Sequence, residues 1–240
     1  MSSIPDLRFK RISIGKAGVW AVHENMNIYE IKNGYPITNI PGHLVHVSVG
    51  DSIWGVNKDG KIFTCPGNGN NSWREIPGIL NNIDVSNKGS VWGVNKWHHI
   101  FKMDGGSWAR IAGPDAVQVS VGESGVWLVD IHGDIHYRTG TFGDDDMDNS
   151  IGTAKWTKID GTLKWVASGQ NIVCGVNDSD ETVYRAGVTE NTPTGTDWRK
   201  VKGSKAYESF QYSQLDVYGR FIIGRTSSSD IFYTLLTPAK

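Results

Sequence analysis

Asn57, Asn95, Asp130 and Asn177 occupy one recurring place in the chain, each following a short apolar run and opening a polar loop. The loops read Asn57-Lys58-Asp59-Gly60, Asn95-Lys96-Trp97-His98-His99, Asp130-Ile131-His132-Gly133 and Asn177-Asp178-Ser179-Asp180. Planar amides and carboxylates suit hydrogen bonds to a hydroxyl-rich ligand, and an aromatic face suits its C–H groups. Trp97 stands in a loop rather than at a core position, which makes it the best stacking platform. His98 and His132 lie in the same loops, and His43 falls where it could meet the following Asn57 loop. The candidate binding residues are therefore Asn57, Asn95, Asp130, Asn177, Trp97, His98, His43 and His132. Asn and Asp also start tight turns by bonding their own backbone, and for these four that role outweighs direct contact.

Other chemistry is thin. His98 and His99 are adjacent, but no third ligand is spaced to join them, so no metal site is expected. Asp144 to Asn149 could offer carboxylates to calcium, yet the run lacks the glycine and distal glutamate of a helix-loop-helix site, and a solvated acidic loop is the better reading. Arg138 and Arg185 could meet anions, but local bonds across a blade come first. The chain has no nucleophile elbow and no phosphate-cradling glycine loop, so neither enzyme activity nor a cofactor is expected.

With 240 residues and a net charge of −1, the chain has no nucleic-acid footprint. The near-zero charge also disfavours a lipid or lipopolysaccharide surface. No apolar run approaches the ~20 residues that span a bilayer, so no membrane insertion is expected. The opening Met1 to Asp6 has no charged-then-apolar leader, and the two cysteines, Cys65 and Cys174, lie far apart. Both features fit a reduced, cytoplasmic setting, in which sequon-like matches at Asn70 and Asn177 would go unused. Homo-oligomerisation is left open.

The elements that position these residues repeat. Val-Ser-Val-Gly at Val47 recurs in related form at Ile12, Val85 and Val119. An anchor follows each run: Trp20, Trp54, Trp92 and Trp127, then Cys174 and Ile223. Eight residues beyond each anchor a third run starts, at Ile28, Ile62, Ile100, Ile135, Thr182 and Ile231. That constant offset supports repetition even where the tryptophan has gone. A fourth run carries Trp73/Ile76, Trp108/Ile111, Trp156/Ile159 and Trp198/Val201, with Ile37/Ile40 in the first copy. Period-two alternation with Gly- and Asn-rich punctuation reads as short strands. Four strands per repeat of this size predict propeller blades.

The expected fold is all-β: a single six-bladed β-propeller over 1–240, of four-stranded antiparallel blades. The approximate bounds are 8–43, 44–80, 81–114, 115–163, 164–204 and 205–236. Residues 3–7 are expected to complete the last blade and close the ring, since Ile4-Pro5-Asp6-Leu7 mimics Ile40-Pro41-Gly42-His43-Leu44. The recurrent tryptophans, apart from Trp97 and Trp165, are expected to fill the space between neighbouring sheets.

These residues resemble the tectonin family, the six-bladed propellers of fungal and slime-mould tectonins, a horseshoe-crab tachylectin and fish-egg lectins. The carriers are the repeated Val-Ser-x-Gly, Val-Trp-Gly-Val-Asn at Val91 to Asn95, Tyr137-Arg138-Thr139-Gly140, and Tyr184 to Thr189 followed by Pro193 to Trp198. The resemblance covers residues 3–236 and is specific because it repeats; the copy around Ile223 departs most. It implies a lectin of innate defence that binds glycans as partners, with O-methylated sugars such as methylated fucose or mannose on bacterial or nematode surfaces as the fungal branch's targets. The alternative is a protein-interaction propeller without a sugar site.

Overall fold

A computed structural model of the protein describes residues 8–32, 35–67, 72–144, 155–201, 212–219, 221–226 and 231–235. The first blade contains β1 (Phe9–Gly15), β2 (Gly18–His23), β3 (Asn27–Lys32) and β4 (Tyr35–His43). The second contains β5 (His46–Val49), β6 (Ile53–Val56), β7 (Lys61–Cys65) and β8 (Arg74–Ile79). The third contains β9 (Asn82–Val85), β10 (Val91–Val94), β11 (Ile100–Asp104) and β12 (Ser107–Ile111). The fourth contains β13 (Ala116–Gly122), β14 (Gly125–Asp130), β15 (Asp134–Arg138) and β16 (Trp156–Thr162). The fifth contains β17 (Trp165–Ser168), β18 (Val173–Val176), β19 (Thr182–Arg185) and β20 (Trp198–Lys200). Last come β21 (Tyr212–Tyr218), β22 (Phe221–Thr226) and β23 (Ile231–Leu235). Each sheet is an antiparallel meander in chain order.

The result is a β-propeller with five complete four-stranded blades, and a further sheet of three strands, β21–β23. This corrects the expectation of six four-stranded blades. The strand that residues 3–7 were to add to the last sheet lies outside the described residues, as does most of the Asp144 to Asn149 loop.

The register explains why the offset of eight recurs. In every sheet the residue two beyond the anchor faces the start of the third strand: Val22 with Ile28, Val56 with Ile62, Val94 with Ile100, Val129 with Ile135, Val176 with Thr182 and Arg225 with Ile231. A tight loop between two strands fixes the register by its length. The anchors in turn face one inner-strand position each: Ser13, Ser48, Asp84, Ser120, Ala167 and Asp216.

Inner strands of different blades do not pair by backbone ladders, so side chains join them. Gln214 accepts from the Ile12 N–H and donates to the Ile12 carbonyl. Gln118 does the same to Val166. Asn82 accepts from the Val119 N–H, and the Trp165 indole donates to the Leu215 carbonyl. Two residues further along, Ser13 accepts from Val49 N–H, Ser48 from Val85, Asp84 from Val121, Ser120 from Ser168 and Asp216 from Ile14. Buried backbone donors need partners, and these two layers supply them around a narrow axial cavity of about 20 Å³. Asp216 to Ile14 and Gln214 to Ile12 join the last sheet to the first.

Glycine is required where strands come closest. A Cβ on Gly15, Gly50 or Gly122 would lie 2.1 Å from the carbonyl oxygen of Val49, Ser86 or Ser168 on the next blade. Both cysteines are free and buried, and burial pushes the Cys65 thiol up to about 11.

Candidate functional site

The seams between blades are built the same way four times. The second-strand tryptophan of one blade meets the fourth-strand tryptophan of the next edge to face: Trp20 with Trp73, Trp54 with Trp108, Trp92 with Trp156, Trp127 with Trp198, at centroid distances of 6.1 to 6.5 Å. Aromatic pairs favour this T-shaped geometry. The indole N–H of Trp73 donates to the Pro41 carbonyl at 3.0 Å, that of Trp156 to Ala112 and that of Trp198 to Asp160, both at 2.9 Å. Thus Trp20, Trp92 and Trp127 are wholly buried filler, as expected of them.

Trp165 and the arginines behave differently from that filler. Trp165 lies at the axis, stacked with His46 at 6.0 Å and under the Arg11 guanidinium at 5.1 Å. Arg185 reaches back across the seam to Asp160 at 2.7 Å and lies over Trp198. Arg138 lies over Trp92 and Trp156. Arg185 Nε also donates to the Thr194 carbonyl of its own blade at 2.8 Å, so the expected local bond is present and the contacts across the seams add to it.

The four recurring loop residues do perform the turn role. The Oδ1 of Asn57 accepts from the N–H of Asp59 and Lys61, that of Asn95 from Trp97 and His99, that of Asp130 from His132 and Asp134, and that of Asn177 from Ser179 and Glu181, all at 2.8 to 3.0 Å. The second oxygen of Asp130 meets His136 Nε2 at 3.0 Å, and the hydrogen bonds from His136 and the loop N–H groups hold its carboxyl below the usual range against the burial that raises it. Asn177 Nδ2 donates to Glu181. The fourth residue of each loop has a left-handed backbone: Gly60, His98, Gly133 and Asp180. The first three of these offer their carbonyl to the N–H of Leu80, Ala116 and Leu163 in the connection to the next blade. That bond places the two loop sets on one face.

On that face the seam between the first two blades opens into a cavity of about 300 Å³, lined by Ile28, Gly42, His43, Leu44, Asn57, Phe63 and Trp73. His43 and Asn57 are thereby brought together, across a seam. Their neighbours Phe63 and Trp73 were read in the sequence only as strand and filler residues. Gly42 is the available signal for Trp73. It recurs as Gly78, Gly113 and Gly161, and a Cβ at Gly42 would touch the Trp73 indole at 3.6 Å. No lining residue bears a carboxylate or a permanent positive charge. The volume is at the low end of the ~300–1,000 Å³ of small-molecule pockets.

The other candidates are spread over separate blades. Trp97 is 57 % exposed, with Lys96 Nζ 4.5 Å above its ring. His98 bonds the Ala116 carbonyl through Nδ1 at 3.1 Å and borders a second cavity on the third blade. His132 is exposed on the fourth blade. Among the described residues no group of three or more His, Cys, Asp or Glu is placed to hold a metal ion.

The chain is thus a β-propeller with a cleft of small-molecule size at the seam between its first two blades. The model of the Tectonin domain matches residues 8–222, and the chain belongs to that lectin-like family of β-propellers. A curated relative is the Perivitellin-2 31 kDa subunit of Pomacea maculata, 29% identical over 116 residues, or 48% of this chain and 36% of that protein. The matched part therefore spans just over a third of that relative's length. Among solved structures, human WBSCR16 matches with TM-score 0.59 at 9% identity, over 93% of this chain and 76% of that one. The propeller domain of Myceliophteria thermophila Cps50 (Swd1) matches with TM-score 0.59 at 9% identity, over 95% and 84%. Likeness at such low identity speaks for the fold alone.

Proposed function

We propose that the protein is a lectin whose inter-blade grooves bind sugars, with O-methylated monosaccharides such as methylated fucose or mannose as the preferred termini. The carrying observation is the cleft between the first two blades. Its uncharged wall of Trp73, Phe63 and Ile28 suits a methyl group and the C–H face of a sugar, while His43 and Asn57 offer polar atoms to hydroxyls. Each groove binds weakly, and several on one ring act together on a glycan-dense bacterial or nematode surface. Family membership supports the lectin role. Defence in a cytoplasmic setting is part of the same proposal.

A glycan array carrying methylated and unmethylated versions of the same sugars tests this. Preferential retention by methylated spots supports it, and no binding to any glycan at high protein density counts against it. The second reading, a protein-docking propeller, draws on Ile79, Trp97 and Ile131, exposed at the end of β8 and in loops of the next two blades. A stoichiometric protein partner that free sugars fail to displace would favour that reading.

A further inference from the structure

Comparing the blades with one another exposes a gap in the third. In three blades the residue just before the Ile or Thr that starts the third run forms an ion pair with the residue one before the Ile or Val of the fourth run. The pairs are Lys61 with Glu75 at 3.1 Å, Asp134 with Lys158 at 2.5 Å and Glu181 with Lys200 at 2.5 Å. The signs swap from blade to blade, but the pairing does not. The first blade has two neutral residues there, Asn27 and Asn39. The third blade has His99 and Arg110. Arg110 faces Phe101 in the register that Glu75 has with Phe63, Lys158 with His136 and Lys200 with Val183. The third blade thus keeps a cation and has no carboxylate at the matching position.

No described residue fills the role. Arg110 and the His99 ring make no ion pair or hydrogen bond with any of them. Asp115 borders the same space without pairing to either. The space itself is a cavity of about 350 Å³, bounded by His98, His99, Arg110, Gly113 and Asp115. Lys96 adds a further positive charge in the same loop. His98 stands at φ 66, where the second and fourth blades have glycine. The fifth blade likewise keeps a side chain there, Asp180 at φ 60.

We propose that this corner binds an oxyanion, a sulfate ester or a carboxylate, carried on an acidic sugar. The anion sits between His99 and Arg110 in place of the missing carboxylate, and the ring of the sugar extends to the exposed face of Trp97. Guanidinium groups grip planar or tetrahedral oxyanions with paired, charge-assisted hydrogen bonds. Asp115 is available to a sugar hydroxyl. The sugar half rests on the lectin reading; the anion half does not.

The test is titration of the intact protein with inorganic sulfate, galactose 6-sulfate, galacturonate and galactose, followed by NMR shifts and calorimetry. The expected result is that sulfate and both acidic sugars perturb His99 and Arg110, galactose does not, and added salt weakens binding. His99→Glu recreates the Glu–cation pair of the fifth blade, so it folds and loses about tenfold or more in anion affinity. Trp97→Ala weakens the acidic sugars and leaves inorganic sulfate unchanged. Undiminished binding in His99→Glu, or shifts away from this corner, overturns the proposal. Sulfate bound here with neither acidic sugar bound overturns the sugar half. His43→Ala, which alters the neutral groove, should leave anion binding intact. Failure of the methylated-sugar reading is thereby distinguished from failure of this one.

Discussion

Ser13 donates its hydroxyl to Asp216 Oδ2 at 2.6 Å, a bond between residues 203 positions apart that joins the first sheet to the last. Asp84, in the same inner-strand layer, accepts from Ser48 at 2.6 Å and from Ser120 at 2.8 Å. Both residues are half-buried and line the narrow axial cavity. Burial pushes Asp84 up to about 6, against the pull of its hydrogen bonds, and pushes Asp216 up to about 7 with help from the charge on Asp84.

A pH dependence follows. Folded values above the unfolded 3.8 mean that the fold favours the protonated pair. The associated stability is complete below pH 3.8 and is lost as pH rises through 6 to 7. His46 opposes this. Burial, then the charge of Arg11, lowers it to about 3, so its contribution is present above 6.5 and fades on acidification. The variant Asp216→Asn isolates the carboxyl pair. Relative to the wild type it should gain on the order of 2 kcal/mol in unfolding free energy between pH 5 and pH 8. Denaturant melts at both pH values measure it, and a constant difference contradicts the assignment.

Gln118 carries both halves of a backbone-like link to Val166. Gln118→Ala leaves a buried N–H and a buried carbonyl without partners. It should cost about 2–4 kcal/mol, read as a lowered denaturant midpoint with an unchanged slope. A loss below ~0.5 kcal/mol would show that the strands hold without this bridge.

Gly122→Ala places a Cβ 2.1 Å from a backbone oxygen of the neighbouring blade. The blades must then move apart, at a cost of several kcal/mol or failure to fold. Gly140→Ala is the control in open space, where the Cβ meets nothing but the φ of 84° adds about 1 kcal/mol of strain. Soluble yield and melting temperature compare the two, and equal effects would contradict the close approach.

The repeat was legible because each blade writes its own register. The distance from Trp54 to Ile62 is set by one turn and recurs even at Cys174 and Ile223. What a blade does to its neighbour was harder to read. Trp73 pairs with Trp20 and bonds Pro41, all in the preceding blade, and nothing in the local alternation says so. Gln118, Asn82 and Gln214 stand two residues before Ser120, Asp84 and Asp216 and look like ordinary polar strand residues until the next blade shows which backbone groups they serve. The turn role expected of the loop residues Asn57, Asn95, Asp130 and Asn177 is what their Oδ1 atoms perform. The groove's aromatic wall comes from Trp73 and Phe63 of the second repeat, and only the seam brings Ile28 and His43 of the first repeat against it.

The most direct measurement of the central claim, that a seam groove binds a methylated sugar, is the indole N–H resonance of Trp73, assigned by comparison with a variant at that residue. Titration with O-methyl fucose and with O-methyl mannose should shift this signal saturably together with those of His43 and Asn57, and His43→Ala should weaken the response. Trp73, His43 and Asn57 resonances that stay fixed at saturating concentrations of both sugars would contradict the account.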